Sequence, residues 1–383
     1  MNAPSASAHR QFSDERQIRD LVTQILAEFK RSMFGLDEVA RLCLVAFYCR
    51  GHVLLEGNPG LGKTDLVKRL ADILGLQFGR IQFTPDLMPA DITGTKQPEF
   101  SDGGLSQFKF QPGPVLKHQL LLGDEINRAT PKTQAAMLEA MAEKQVTVLG
   151  EEHKTEQPFM VLATQNPIEH EGTYSLPEAQ LDRFMFQIQM PPPTRQSLAE
   201  ILRKTTTYET HEDADAKLRI DEAAHQEITD WIFSRVRPSP SLEKHIGNLV
   251  FAFDGAETQY DGETPKKFRR GCELAQELTH AAIGPRAAIA MMKGAKAWSL
   301  LFGETREFAS TSDLCGIVAA VLRHRMKLDF SWRAKYAEHA KVAPDHPQLD
   351  SLLVLELCCL TAPDMESHDI FHRRRLQQME APQ

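Results

Sequence analysis

The chain has 383 residues, 42% of them hydrophobic and 25% charged, with a formal net charge of −8. That length exceeds what one hydrophobic core usually serves and favours two domains of ordinary globular composition. The negative balance excludes a general attraction to nucleic acid or to an anionic membrane; no apolar run reaches bilayer length and the polar start, Met1 to Gln11, has no apolar signal core, so a cytoplasmic protein without membrane insertion is expected.

Six cysteines, Cys43, Cys49, Cys272, Cys315, Cys358 and Cys359, form no C-x-x-C pair and fall mostly within apolar helical patterns. That favours reduced core thiols over a disulfide frame or a zinc site. After a disordered lead over 1–12, Ile18, Leu21, Val22, Ile25, Leu26 and Phe29 recur at helical spacing, with Ser13 as a candidate cap. Met33 to Glu38 interrupts the pattern before a second helix that runs to about Cys49. In a nucleotide-binding chain Phe34 and Gly35 can contact an adenine; a plain helix–helix turn fits them equally well.

The apolar run Val53-Leu54-Leu55 leads into Gly57-Asn58-Pro59-Gly60-Leu61-Gly62-Lys63-Thr64, which fits G-x-x-x-x-G-K-[ST], the phosphate-binding P-loop. Its glycines let successive backbone N–H groups turn into a concave anion nest, and the following helix aims its positive end at the same phosphates. Lys63 is placed to meet the β- and γ-phosphates of ATP and Thr64 to ligate Mg²⁺. A helix over 63–74 follows, with Leu66, Val67, Leu70, Ile73 and Leu74 as its buried face, and then a strand near 78–83.

Residues 84–113 are rich in Pro, Gly and Asp, and Asp102-Gly103-Gly104 separates Phe100 from the alternating Leu105, Phe108 and Phe110, a pattern that predicts a β-hairpin with exposed aromatics. Leu120-Leu121-Leu122-Gly123-Asp124-Glu125 is an apolar strand ending in two carboxylates. In that setting Asp124 can hold the water shell of Mg²⁺ while Glu125 activates water against the γ-phosphate. A helix with Ala136, Met137, Ala140 and Met141 comes next, and Val146 to Glu152 predicts a second hairpin. Phe159 to Thr164 reads as a central parallel strand, ending at Gln165-Asn166-Pro167. The amide of Asn166 therefore belongs at the same sheet edge as Asp124, although it can also serve to cap the turn before Pro167. A last sheet strand, 184–189, precedes Pro191-Pro192-Pro193, which marks a domain boundary. From Thr194 the chain reads as mostly helical, with helices starting at Pro285 and spanning Leu314 to Leu322, an acidic stretch at 211–216, a loop-like stretch at 254–267, one more helix within 345–361 and a polar tail. The basic runs 266–270 and 372–375 read as solvated faces.

The quoted motifs resemble the MoxR family of AAA+ ATPases, from about Met33 to Met326. The resemblance lies in Gly51 to Gly57 leading into the P-loop, Asp124 to Ala129, Ala163 to Pro167, Glu178 to Phe184, Pro285-Arg286-Ala287 and Val321 to Arg325. It implies an α/β fold: an αβα ATPase domain over 13–190 with a parallel five-stranded sheet and two β-hairpin insertions, then an all-α lid over 194–330 that is atypical at 205–283. Residues 331–383 have no counterpart and stand as a C-terminal extension. The resemblance further implies a hexameric ring that hydrolyses ATP with Mg²⁺, with Asn166 as sensor amide, Arg183 as arginine finger and Arg286 as second sensor, in place of the surface ion pairs that isolated arginines usually form. Arg128 fits either a neighbouring nucleotide or a structural pair. Members of the family typically act with a von Willebrand factor A domain partner in chaperone-like maturation of protein clients. Two other classes compete: a nucleic-acid-translocating motor, which hairpins carrying only Lys109 and Lys154 near their tips disfavour, and a small-acceptor kinase, which Glu125 beside Asp124 disfavours.

Overall fold

The computed structural model describes residues 12–101, 104–166, 173–206, 218–255, 266–278, 283–303, 308–326, 330–343, 346 and 348–380. Pro167 and the acidic stretch 211–216 lie outside them, as do most of the lead and of the loop-like stretch 254–267. The chain groups into two compact units: one holds the residues up to Phe184 together with Ile188–Glu227, the other Met185–Gln187 with Ile228 onward.

In the first unit α1 (Glu15–Lys30) buries Ile18, Leu21, Val22, Ile25 and Phe29, the stripe its sequence writes at helical spacing. Its cap is Asp14, whose carboxylate accepts the Gln17 N–H at 3.0 Å, and not Ser13, whose N–H goes to the Gln17 side chain at 2.9 Å. A carboxylate at this position also complements the helix dipole. α2 (Asp37–Tyr48) leads to β1 (Val53–Glu56), α3 (Lys63–Leu74), β2 (Phe78–Gln82) and α4 (Pro89–Thr93). The first hairpin is β3 (Gly94–Ser101) with β4 (Gly104–Pro112), antiparallel, as the alternation predicts. After α5 (Pro114–Lys117) come β5 (Leu120–Asp124), α6 (Pro131–Glu143) and the second hairpin, β6 (Gln145–Val148) with β7 (Glu151–Lys154). The sheet resumes with β8 (Met160–Gln165), passes through α7 (Glu178–Leu181) and finishes at β9 (Phe186–Gln189).

The five strands stand in the order β2-β5-β8-β1-β9, and the pairs β2–β5, β5–β8 and β1–β8 are parallel. Leu120, Leu121, Leu122, Val161, Leu162 and Ala163 are wholly buried, which is why β5 and β8 read as continuous apolar runs; each such leucine contributes roughly 1.5–3 kcal/mol relative to exposure. Leu54, Leu121 and Val161 pack with Phe83, Met137, Leu138, Phe159 and Phe184 in one cluster that seats α6 on the sheet. His52, just before β1, is buried and pins three elements: Nε2 donates to the Met141 carbonyl and Nδ1 accepts from the Val161 N–H, both at 3.0 Å. Burial lowers its pKa to about 4, so it is neutral at physiological pH.

The boundary expected at Pro191–Pro193 falls inside this unit. α8 (Arg195–Thr206) and residues 218–227 stay with it, and Ile220 and His225 pack on the end of α3. A Cβ on Gly75 (φ +68°) would come within 2.6 Å of the Ile220 carbonyl oxygen, and His225 Nε2 donates to the Leu74 carbonyl at 2.8 Å.

The second unit is helical. α9 (Glu222–Ser234) carries the division between the units within it, and the short parallel bridge of β10 (Arg237–Pro238) with β11 (Phe308–Ala309) frames α10 (Pro240–Phe253), α11 (Lys266–Leu278) and α12 (Pro285–Phe302). Pro285 opens α12, as its fixed φ and missing N–H suit. The single helix expected from Leu314 to Leu322 is two, α13 (Thr311–Cys315) and α14 (Val318–Leu322). They part at Gly316, which lies against Trp298 so closely that a Cβ would be 2.5 Å from the indole.

Within the expected C-terminal extension, α15 (Phe330–Ala340), α16 (Leu349–Thr361) and α17 (Met365–Glu380) group with this unit. α16 is buried nearly all round, with Leu349, Leu352, Leu353, Val354, Leu355, Leu357 and Cys358 inside, the pattern of a central helix. The buried Glu356 carboxylate accepts from Tyr336 Oη at 2.9 Å and pairs with Arg375 at 2.9 Å, tying α15 and α17 to α16. All six cysteines are free thiols, and burial raises Cys43 to about 12 and Cys359 to about 11. Among the described residues no helix is long and apolar enough to cross a membrane.

Candidate functional site

The parallel registers bring the carboxyl ends of four strand segments to one edge: Gln82 stands beside Asp124, and Glu56 beside Gln165. Ligands of such sheets bind at this edge. The loop 57–62 leaves it from β1. Gly60 and Gly62 hold φ of +82° and +74°, the region that favours glycine, and nothing lies within 4 Å of a Cβ placed on Gly60. Asn58, Pro59 and Gly60 are exposed and Leu61 half-buried. No side chain caps the start of α3, so its first N–H groups and its positive end address the loop's concavity. Lys63 Nζ donates to the Gly57 carbonyl at 2.6 Å, which lays the ammonium across the loop. The loop thus fits a polyphosphate, and the Thr64 hydroxyl and Asp124 carboxylate are the hard oxygen donors that a magnesium ion prefers.

Beside the loop, Met33 Cε comes within 3.8 Å of a Cβ placed on Gly62, and Ser197 of α8 lies 3.3 Å from one placed on Gly35, which has φ +75°. The turn that carries Phe34 and Gly35 therefore flanks the P-loop.

At the end of β5 a network fixes both carboxylates. Asp124 Oδ1 accepts from Thr164 Oγ1 at 2.6 Å and Oδ2 pairs with Arg80 Nη2 at 2.7 Å. Glu125 has left-handed backbone, φ 58° and ψ 50°, and its N–H donates to Thr164 Oγ1 at 2.8 Å. Its side chain accepts from Gln82 Nε2 at 2.7 Å and pairs with Arg128 Nε at 3.2 Å. Arg128 thus makes an intramolecular pair with Glu125 on the turn it shares with it. Asn166 follows β8 directly and is buried. Arg183, half-buried after α7, gives Nη1 to the Leu138 carbonyl of α6 at 2.7 Å. Arg286, exposed in the first turn of α12, belongs to the second unit.

Arg80, Gln82 and Thr164 were not among the sequence candidates. Arg80 and Gln82 alternate on one face of β2, a signal that means nothing until β2 is known to pair with β5. Thr164 stood in the apolar run and in the Ala163 to Pro167 motif without a role of its own.

The hairpins meet side by side. Lys96 Nζ lies 2.6 Å from Glu151, and Phe110 stacks on His153 with ring centroids 3.9 Å apart. Of the aromatics expected to be exposed on the first hairpin, Phe108 is 62% exposed and Phe110 is half-buried, while the side chain of Phe100, like that of Leu105, lies outside the described residues. Leu149, at the turn of the second hairpin, is 79% exposed.

Residues 52–186 match the family described as ATPase family associated with various cellular activities (AAA), and residues 273–346 match the AAA lid domain. The chain is 38% identical to the uncharacterized protein YeaC of Bacillus subtilis, over 82% of this chain and 89% of that protein. It is 36% identical to the chaperone MoxR1 of Mycobacterium tuberculosis, over 79% of this chain and 74% of that protein. A crystal structure of a candidate ATPase from Cytophaga hutchinsonii superposes with a TM-score of 0.71 at 32% identity, covering 89% of this chain and 96% of the other. With these likenesses, an AAA sheet and P-loop at one end and a lid match at the other, the chain belongs to the MoxR family of AAA+ ATPases.

Proposed function

We propose that this protein hydrolyses ATP with Mg²⁺ and uses the cycle to remodel or mature protein clients in a chaperone-like way. The observation that carries the reading is the meeting, at one sheet edge, of an uncapped glycine loop with its lysine and of the paired carboxylates Asp124 and Glu125. Gly57, Asn58, Pro59, Gly60, Leu61, Gly62 and Lys63 would cradle the phosphates, Phe34 and Gly35 would border the base, and Thr64 with Asp124 would hold the metal. Bound there, Mg²⁺ supplies charge neutralisation on the β- and γ-phosphates. Glu125 is the general base toward the attacking water, and Asn166 orients it. Arg183 serves the neighbouring subunit of a hexameric ring, with Arg286 as the second sensor. The setting is cytoplasmic, and a von Willebrand factor A domain protein is the partner the family points to.

The name of the mycobacterial relative supports the chaperone half of this reading. A nucleic-acid motor is disfavoured on the described residues of the hairpins, where Lys96 and Lys109 face Glu151 and Glu99 at 2.6 and 3.6 Å and Lys154 is exposed, because backbone tracking needs several lysines and arginines that answer to phosphate. Removing the ammonium from the loop tests the site: Lys63→Ala should lose ATP binding, read by equilibrium titration, and keep its thermal unfolding profile. Wild-type affinity in that variant would remove the P-loop assignment.

A further inference from the structure

The hydroxyl of Thr164 touches both carboxylate residues of the site. It sits at the penultimate position of β8, wholly buried. Its Oγ1 lies 2.6 Å from Asp124 Oδ1 and 2.8 Å from the Glu125 backbone nitrogen. The direction of each bond is determined by chemistry: a backbone N–H can only donate, so the hydroxyl's lone pair receives it and its one proton goes to the carboxylate.

Two consequences follow. The bond to Oδ1 orients the Asp124 carboxylate from the side opposite Arg80, whose half-exposed side chain pairs with Oδ2 at 2.7 Å. The bond to the Glu125 amide helps to hold a backbone that an L-residue adopts at a cost of about 1–2 kcal/mol, alongside the Phe83 N–H on the Asp124 carbonyl and the Arg128 N–H on the Glu125 carbonyl, both at 2.9 Å; of the three it is the bond made by a side chain. The side chains of Gln82 and Arg128 hold the far end of the Glu125 side chain.

We infer that Thr164 is a positioning residue that sets the metal-binding carboxylate and the catalytic base in register through one buried hydroxyl. This rests on the proposed hydrolysis, and it adds to that reading a member from the sensor strand other than Asn166. Because β8 also carries Asn166, a displacement of that strand end would move ligand, base and sensor together.

The test compares Thr164→Val, which keeps the shape and removes the hydroxyl, with Thr164→Ser, which restores it, and Thr164→Ala as a second deletion. In the protein without nucleotide, amide hydrogen exchange at Glu125 should quicken in Val and Ala and stay near wild type in Ser, with the neighbouring strands unchanged. In turnover, kcat should fall about 10- to 100-fold in Val and Ala, the range that a misplacement of about an ångström costs. KM for ATP should change little, the Mg²⁺ concentration for half-maximal rate should rise, and Ser should recover most of kcat. Equal exchange at Glu125 in all four proteins, or wild-type kcat in both deletions, would overturn the inference, as would loss in Ser equal to that in Val. Absence of hydrolysis by the wild type would refute the ATPase reading instead, and the exchange measurement would still judge the tie.

Discussion

His52 shows how one buried side chain supports the site from behind. Its two ring nitrogens are spent on α6 and β8 backbone, so protonation would leave a buried charge facing a backbone N–H. Burial, the largest cause, lowers its pKa from 6.5 to about 4, with Lys144 adding to the effect and the bond to Met141 opposing it. The sign is that of a group neutral in the fold and basic when unfolded. Its stability contribution is complete above pH 6.5 and declines as pH falls from 6.5 to 4, by about 1.4 kcal/mol per pH unit. The urea midpoint of the first unit should therefore drop over that window, and His52→Gln should flatten the drop. The same slope in variant and wild type would show that other groups set it. His245, buried in the second unit with Nε2 on the Cys358 carbonyl at 3.0 Å, is lowered to about 4 by burial as well, and the second unit should lose stability over the same window.

At the scale of elements, the hairpins separate what holds the fold from what faces outward. Phe108 is exposed and packs little, so Phe108→Ala should leave both the melting temperature and basal ATP turnover at wild-type levels while impairing work on a protein client. A variant that unfolds would put Phe108 in the core. Phe110 differs, since its ring stacks on His153 and such contacts contribute about 0.5–1.5 kcal/mol. Both hairpins were legible because period-2 alternation and Gly-rich turns are local signals. Their coupling through Lys96 and Glu151 was not, because residues 55 apart in sequence carry no mark of adjacency. The same holds for the candidate site. Each motif was readable in its own strand, whereas the Arg80–Asp124 pair and the Thr164 bridge depend on the strand order β2-β5-β8. α17 escaped notice because Phe371 is its one wholly buried aromatic and much of the rest is polar; what seats it is Arg375 on a carboxylate of α16. Near the expected lid boundary the three prolines end a strand, while the contacts of His225 and Ile220 with the end of α3 tie residues beyond them to the first unit, a link between distant positions that the sequence does not mark.

At the scale of the whole molecule the proposal is a head-to-tail ring, in which each subunit completes its neighbour's site. Arg183 has one guanidinium nitrogen on its own α6 backbone, and a guanidinium carries five N–H donors in a planar fork, so that anchor orients the group while leaving its other donors for a phosphate across an interface. Fingers supplied in trans are worth about 10³–10⁵ in rate. Arg183→Ala should keep ATP affinity and lose turnover, and mixing it with Lys63→Ala should restore part of the rate, because one subunit brings an intact loop and the other an intact arginine. No recovery at any ratio, with co-assembly confirmed, would assign Arg183 to its own subunit.

The central claim is that the carboxylate pair at the end of β5 performs water activation at a bound ATP. Phosphate release from MgATP, measured side by side for the wild type and Glu125→Gln together with ATP affinity, tests it most directly. The amide cannot take the water's proton, so the variant should bind ATP as the wild type does and release phosphate about 10²–10⁴-fold more slowly. Undiminished release by Glu125→Gln, or no release by the wild type, would contradict the account.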